Sequence, residues 1–153
     1  DIGKTFYKQL FGEIYKINQW ADLITIHGIS AVGMLNYLNT LDNKLKIPKI
    51  LIVSQMSSQK NLISFKYTLN CHRIAKKFSN LVTGFISQNK FLDDGDFLFL
   101  TPGVKYKNCQ EVDQKYRTPK EAIERDQNDI IIVGSGIYEN PNFEEAIREY
   151  KIY

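Results

Sequence analysis

Several clusters of small and polar residues punctuate the chain at positions where chemistry is possible. Ser54-Gln55-Met56-Ser57-Ser58 follows one apolar run, Thr101-Pro102-Gly103-Val104 a second, and Gly134-Ser135-Gly136 a third. Gln114-Lys115-Tyr116 lies in the polar stretch between the last two. The glycine triplet is the most suggestive. Two glycines permit close backbone approach, and a turn after them can aim free N–H groups at an anion such as a phosphate. Taken alone the triplet is weak, because any tight turn after a strand favours glycine. Gln114 and Tyr116, taken alone, read as polar residues of a surface loop.

The elements that must position these clusters alternate. Apolar, β-branched runs at 22–27, 50–53, 81–86, 97–100 and 129–133 predict five strands, and helical patterns fall at 6–17, 31–41, 64–78, 119–125 and 143–151. Near-continuous hydrophobicity in the runs is the mark of parallel strands covered on both faces. Thr118-Pro119 with Glu121, and Asn142 with Glu145, carry helix-start signals of the capping-box kind. The interval 87–96 is too short and polar for a full helix.

Right-handed βα units in series imply an α/β fold, either doubly wound or a (β/α)8 barrel. No G-x-G-x-x-G follows the first strand, so the dinucleotide-binding version lacks support. A barrel needs eight strands and about 250 residues, whereas these 153 residues supply five. A five-strand arc exposes two parallel sheet edges. The first three βα units are therefore expected on another polypeptide, unless the chain covers its edges in another way. Residues 1–153 are expected to form a single, incomplete barrel domain. In barrels, ligands bind at the carboxyl ends of the strands and phosphate commonly sits between the last two βα loops. Those loops end here in Gln114-Lys115-Tyr116 and Gly134-Ser135-Gly136.

Composition narrows the function classes. The net charge of +3 comes from 20 basic against 17 acidic residues, and the basic ones are scattered, which excludes a nucleic-acid stripe. Cys71 and Cys109 form no C-x-x-C, and His27 and His72 do not pair at metal-ligand spacing, so neither a disulfide framework nor a metal site is expected. Apolar runs fall well short of the ~20 residues that span a bilayer, and no signal-like segment opens the chain. A cytoplasmic location is expected. The chain begins with Asp1 rather than Met, from which a longer natural polypeptide is expected.

The order of the motifs resembles eukaryotic-type orotidine 5'-phosphate decarboxylases, in their carboxyl-terminal portion. Asp1-Ile-Gly-x-Thr5, Trp20-Ala21-Asp22, Met56-Ser57-Ser58, Gly84-Phe85-Ile86-Ser87, Leu100-Thr101-Pro102-Gly103-Val104, Gln114-x-Tyr116 and 129–136 (DIIIVGSG) follow the family's order nearly end to end. Seven motifs in register are specific where each alone is not. The resemblance implies a dimeric (β/α)8 barrel that converts orotidine monophosphate to uridine monophosphate without a cofactor.

The resemblance also implies roles. Ser57 would hydrogen-bond the pyrimidine edge, Pro102 would line the base pocket, and Gln114, Tyr116 and the Gly134 backbone would hold the 5'-phosphate. The family's reactive cluster is D-x-K-x-x-D, of which only the last Asp is present, as Asp1. With Thr5, it would reach across a homodimer interface into the partner's site. Ser135 stands where the family carries an arginine that pairs with the phosphate, and Lys4 where it carries an asparagine. The missing arginine and the missing lysines leave open a different reading, a catalytically inactive relative that binds proteins or nucleotides. A D-x-K two residues upstream of Asp1 would favour the enzyme.

Overall fold

The computed structural model describes residues 3–12, 14–41, 45–93, 95–106 and 116–151. They form five parallel strands with flanking helices, divided between two compact units. One comprises 1–54 and 64–85, the other 55–63 and 86–153.

In the first unit the strands follow in the order β1 (Leu23–His27), β2 (Lys49–Val53) and β3 (Val82–Ile86, all but its last residue). β1 and β2 pair in parallel from Leu23↔Lys49 to His27↔Val53. Ile50, Leu51 and Ile52 of β2 are all buried, as the unbroken apolar run predicts. β1 differs: Leu23 is 47% exposed, and Thr25 and His27 face solvent, because this strand ends the sheet order and has a neighbour on one side only.

Three helices cover this unit: α1 (Gly3–Phe11), α2 (Ala31–Leu38) and α3 (Phe65–Lys77). α3 buries Thr68, Cys71 and Ala75, one stripe at helical spacing. It begins where Ser64 accepts a hydrogen bond from the Tyr67 N–H at 3.2 Å and ends on Lys76 and Lys77, cations that suit a helix carboxyl terminus. α1 runs earlier and shorter than the predicted 6–17. The Gly12 N–H closes it on Lys8 O, Lys16 turns into the left-handed region at φ 38°, and a 3-10 turn Ile17–Gln19 follows. Ile14 continues the apolar period yet is 88% exposed.

In the second unit β4 (Leu98–Thr101) pairs in parallel with β5 (Ile130–Ile131). The ladder is longer than the named pair, since Asp129 N–H donates to Phe99 O and Ile132 N–H to Thr101 O. The predicted helix at 119–125 opens with the expected reciprocal cap: Thr118 N–H donates to Glu121 Oε2 at 2.9 Å, and Glu121 N–H to Thr118 Oγ1 at 3.2 Å. Those backbone and hydroxyl donors hold the Glu121 carboxyl below its usual range. The segment then winds as a π-helical turn, Glu121–Arg125, closed by Asp126 N–H on Glu121 O and ended by Gln127 at φ 56°. Two helices follow, α4 (Ser135–Tyr138) and α5 (Phe143–Tyr150). α5 starts at the expected cap, Asn142 accepting from the Glu145 N–H at 3.3 Å, and buries Ala146 and Tyr150. Among the described residues no helix is long and apolar enough to cross a membrane.

Candidate functional site

The loop after β4 is built on Gly103, whose φ of 75° lies in the region where an L side chain is strained. This turn lets Gly103 O accept from the Arg117 N–H at 3.0 Å while Lys105 N–H donates to Arg117 O at 2.9 Å. Residues 102–105 are thereby strapped to 116–118 through a parallel bridge between Val104 and Arg117.

Arg117 fixes the strap from beneath. Its buried guanidinium donates to Gln88 O, to the Thr101 hydroxyl and to Asp126 Oδ2. Burial alone would raise the Asp126 carboxyl, but hydrogen bonds from Arg125 and Arg117 outweigh it and hold the group below the usual carboxylate range. Nearby, Gln55 Oε1 accepts from the Ser87 hydroxyl at 2.9 Å and from the Gln88 N–H at 2.8 Å, which anchors the loop carrying Ser57.

Above these supports lies an open cleft of about 360 Å³ lined by Ser57, Pro102, Tyr116, Gly134 and Ser135, with Glu139 at its edge. Five of the residues singled out in the sequence thus share one cavity, although they come from four separate segments. Asp1 and Gln114 lie outside the described residues. Thr5 is exposed on the first turn of α1, in the first unit.

Ser135 and Gly136 open α4, so their N–H groups have no acceptor within the helix, and none among the described residues takes them. The two glycines of the triplet differ in purpose. A Cβ on Gly134 would meet only Tyr138, at 3.4 Å. A Cβ on Gly136 would lie 2.5 Å from Tyr150 Oη and 3.1 Å from Val133 Cγ1. Gly136 is therefore required by packing. The Tyr150 hydroxyl accepts from the Tyr106 N–H at 3.1 Å, and Tyr106 Oη donates to Glu149 O at 2.7 Å, so α5 braces the turn. Gly136→Ala is expected to lower stability by about 1–3 kcal/mol through overpacking, read as a lower urea midpoint with an unchanged slope.

A larger cleft of about 430 Å³ is lined by Gln88, Lys90, Arg117, Arg125 and Asp126. Its arginines are already paired, Arg117 and Arg125 with Asp126 and Arg125 also with Glu121, while Lys90 meets the exposed Asp93. In the first unit, burial pushes the Cys71 thiol up to about 11. Burial, with Cys71 beside it, pushes the Tyr67 hydroxyl up to about 12. A protonated, buried thiol is neither a nucleophile nor a metal ligand at neutral pH.

The residues missed in the sequence are Arg117, Gln55, Lys105 and Glu139. Lys105 is the one with a legible signal, a cation placed directly after the Thr-Pro-Gly-Val turn.

Five parallel strands with flanking helices define part of a (β/α)8 barrel, and comparison with solved structures agrees. The fold resembles the orotidine 5'-phosphate decarboxylase of Lactobacillus acidophilus, with a TM-score of 0.66 at 20% identity over 99% of this chain and 70% of that one. It also resembles the orotidine 5'-monophosphate decarboxylase of Sulfolobus solfataricus, at 0.68 and 17%, over 99% and 68%. Residues 1–150 match the orotidine 5'-phosphate decarboxylase / HUMPS family, and the chain belongs to it. Its sequence is 37% identical over 152 residues to uridine 5'-monophosphate synthase of Bos taurus, covering 99% of this chain and 32% of that protein. It is equally 37% identical over 149 residues to the orotidine 5'-phosphate decarboxylase of Mucor circinelloides f. lusitanicus, covering 95% and 56%. The chain thus spans about a third of the bovine relative and about half of the fungal one.

Proposed function

We propose that this chain supplies the base and phosphate contacts of an orotidine 5'-phosphate decarboxylase, the cofactor-free conversion of orotidine monophosphate to uridine monophosphate. The observation that carries the reading is the single cleft shared by Ser57, Pro102, Tyr116, Gly134 and Ser135. In this assignment Ser57 meets the pyrimidine edge and Pro102 lines the base. Tyr116, with the N–H groups of the 134–136 turn, holds the 5'-phosphate, and Gln114 joins them. Binding a remote phosphate is useful to a decarboxylase, because that binding energy can be directed to closing loops and crowding the carboxylate.

Asp1 and Thr5 are proposed to act across a homodimer interface, a reading supported by the exposure of Thr5 on α1. A polypeptide bearing the first βα units is the proposed neighbour of β1, whose Leu23 lies exposed beside an apolar cleft of about 280 Å³ lined by Phe6, Leu10, Ile17 and Trp20. A cytoplasmic location belongs to the same reading.

One observation favours a second reading. Ser135 in the cleft provides no guanidinium, and a catalytically inactive relative that acts as a protein-interaction or nucleotide-binding module fits that loss. Restoring the charge tests the site itself. Ser135→Arg is expected to tighten uridine monophosphate binding by about ten-fold or more, the scale of one charge-assisted contact, with the gain shrinking as salt rises. An affinity that does not move in isothermal titration would remove the triplet from the phosphate site.

A further inference from the structure

The cleft edge holds a cation that resemblance assigns no part. Lys105 follows the Gly103 turn, and its backbone is pinned by the bond to Arg117 O. Its side chain is 10% exposed, with the ammonium 4.6 Å from the centre of the Tyr116 ring and 3.4 Å from Glu139 Oε2. Tyr116 and Glu139 both line the proposed nucleotide cleft. Ser135 lines that cleft and also the adjoining recess of about 340 Å³ that Lys105 itself lines.

We propose that Lys105 is the phosphate-contacting cation of this chain, exchanging Glu139 for the 5'-phosphate when nucleotide binds. The proposal rests on the nucleotide reading of the cleft and deepens it. A buried ammonium needs compensation, and its partners here include a ring face and a carboxylate. The face of Tyr116 attracts it through the ring quadrupole and can stay in contact while the charge pivots on its four-carbon stem. Glu139 is the weaker hold, since its side chain is 58% exposed and water screens an ion pair of that kind. A phosphomonoester carries about −1.5 to −2 charges and three acceptor oxygens. It therefore attracts the ammonium more strongly than one solvated carboxylate does, and Glu139 is free to turn into water. At a turn where Ser135 brings no charge, a lysine entering from the preceding loop supplies one.

The test is isothermal titration of the 153-residue chain with uridine monophosphate, inorganic phosphate and uridine as separate probes, at low and high salt. Lys105→Met is expected to weaken both phosphate-bearing probes by at least about ten-fold, the scale of losing a charge-assisted contact. Uridine affinity should not change, and the salt dependence should flatten. Lys105→Arg should retain the preference for uridine monophosphate over uridine. Glu139→Gln, which removes the competing carboxylate, should tighten uridine monophosphate a few-fold. If Lys105→Met binds uridine monophosphate as the wild type does, while Tyr116→Ala and Ser57→Ala weaken it, the cleft stands and Lys105 is only a structural ion pair. If the wild type prefers neither phosphate-bearing probe over uridine, both readings fall. Should Lys105→Met fail to fold, an unchanged affinity in Glu139→Gln overturns the proposal by itself.

Discussion

Replacing Arg117 by methionine is expected to destabilise the second unit by about 3–5 kcal/mol, the cost of breaking a buried ion pair by removing one partner. At roughly 2–4 °C per kcal/mol for a chain of this length, the melting temperature should fall by about 6–20 °C. The arginine side chain is 6% exposed and its Asp126 partner 15%, so water replaces the lost bonds poorly. The Thr101 hydroxyl loses this donor in the same step, and Gln88 O keeps Asn128 Nδ2 at 3.2 Å. The substitution also changes the response to acid. Asp126 has a folded pKa below its unfolded one, so its contribution is complete above the unfolded value of about 3.9 and is lost as pH falls through the lower folded value. With Arg117 gone, burial is opposed by Arg125 alone and the folded value rises. The variant should therefore be less stable at neutral pH and lose less on acidification. Thermal melts from pH 7 to pH 3 check both points, and a variant with wild-type Tm would show that the strap does not depend on this guanidinium.

The second large effect concerns turnover. The 153-residue chain, incubated with orotidine monophosphate at high protein concentration, is expected to form no uridine monophosphate. The resemblance places a proton-delivering lysine in a D-x-K-x-x-D cluster whose first part does not fall within positions 1–153. Fusing the amino-terminal βα units of the Mucor circinelloides relative ahead of Asp1 supplies that cluster. Product formation should then rise by at least about 10²–10⁴-fold, the span associated with a positioned general acid. Chromatographic quantitation of uridine monophosphate against time reads the effect. Equal turnover with and without the fusion would place the chemistry on residues of this chain and overturn the assignment. Binding without turnover in the fusion would favour the non-catalytic relative.

Local rules reach far into this fold. The alternation of apolar runs and amphipathic stretches locates β1 to β5, and the caps at Thr118 and Asn142 form where their side-chain chemistry requires. Periodicity misleads at α1, where Ile14 extends the apolar spacing but Gly12 and the left-handed Lys16 end the helix first. It also cannot foresee the π winding at Glu121–Arg125, which is a matter of which carbonyl each N–H reaches. The site divides similarly. Ser57, Pro102, Tyr116, Gly134 and Ser135 are legible because strand ends collect ligands in such folds, and they share the cleft. Arg117 and Gln55 act through contacts to Asp126, nine residues away, and to Gln88 and Ser87, 29 to 33 residues away, which no local pattern reports. Gly136 reads as a ligand-approach glycine in the sequence, whereas a tyrosine fifteenth in line from Gly136 onward, Tyr150, explains it.

The most direct measurement is a crystal structure of the chain with uridine monophosphate. The expected result has the phosphate within hydrogen-bond distance of the Ser135 and Gly136 N–H groups and of Tyr116 Oη, with the base against Pro102 and Ser57. A nucleotide found instead in the Arg117–Arg125 cleft, or on neither face of the 134–136 turn, would contradict the central claim.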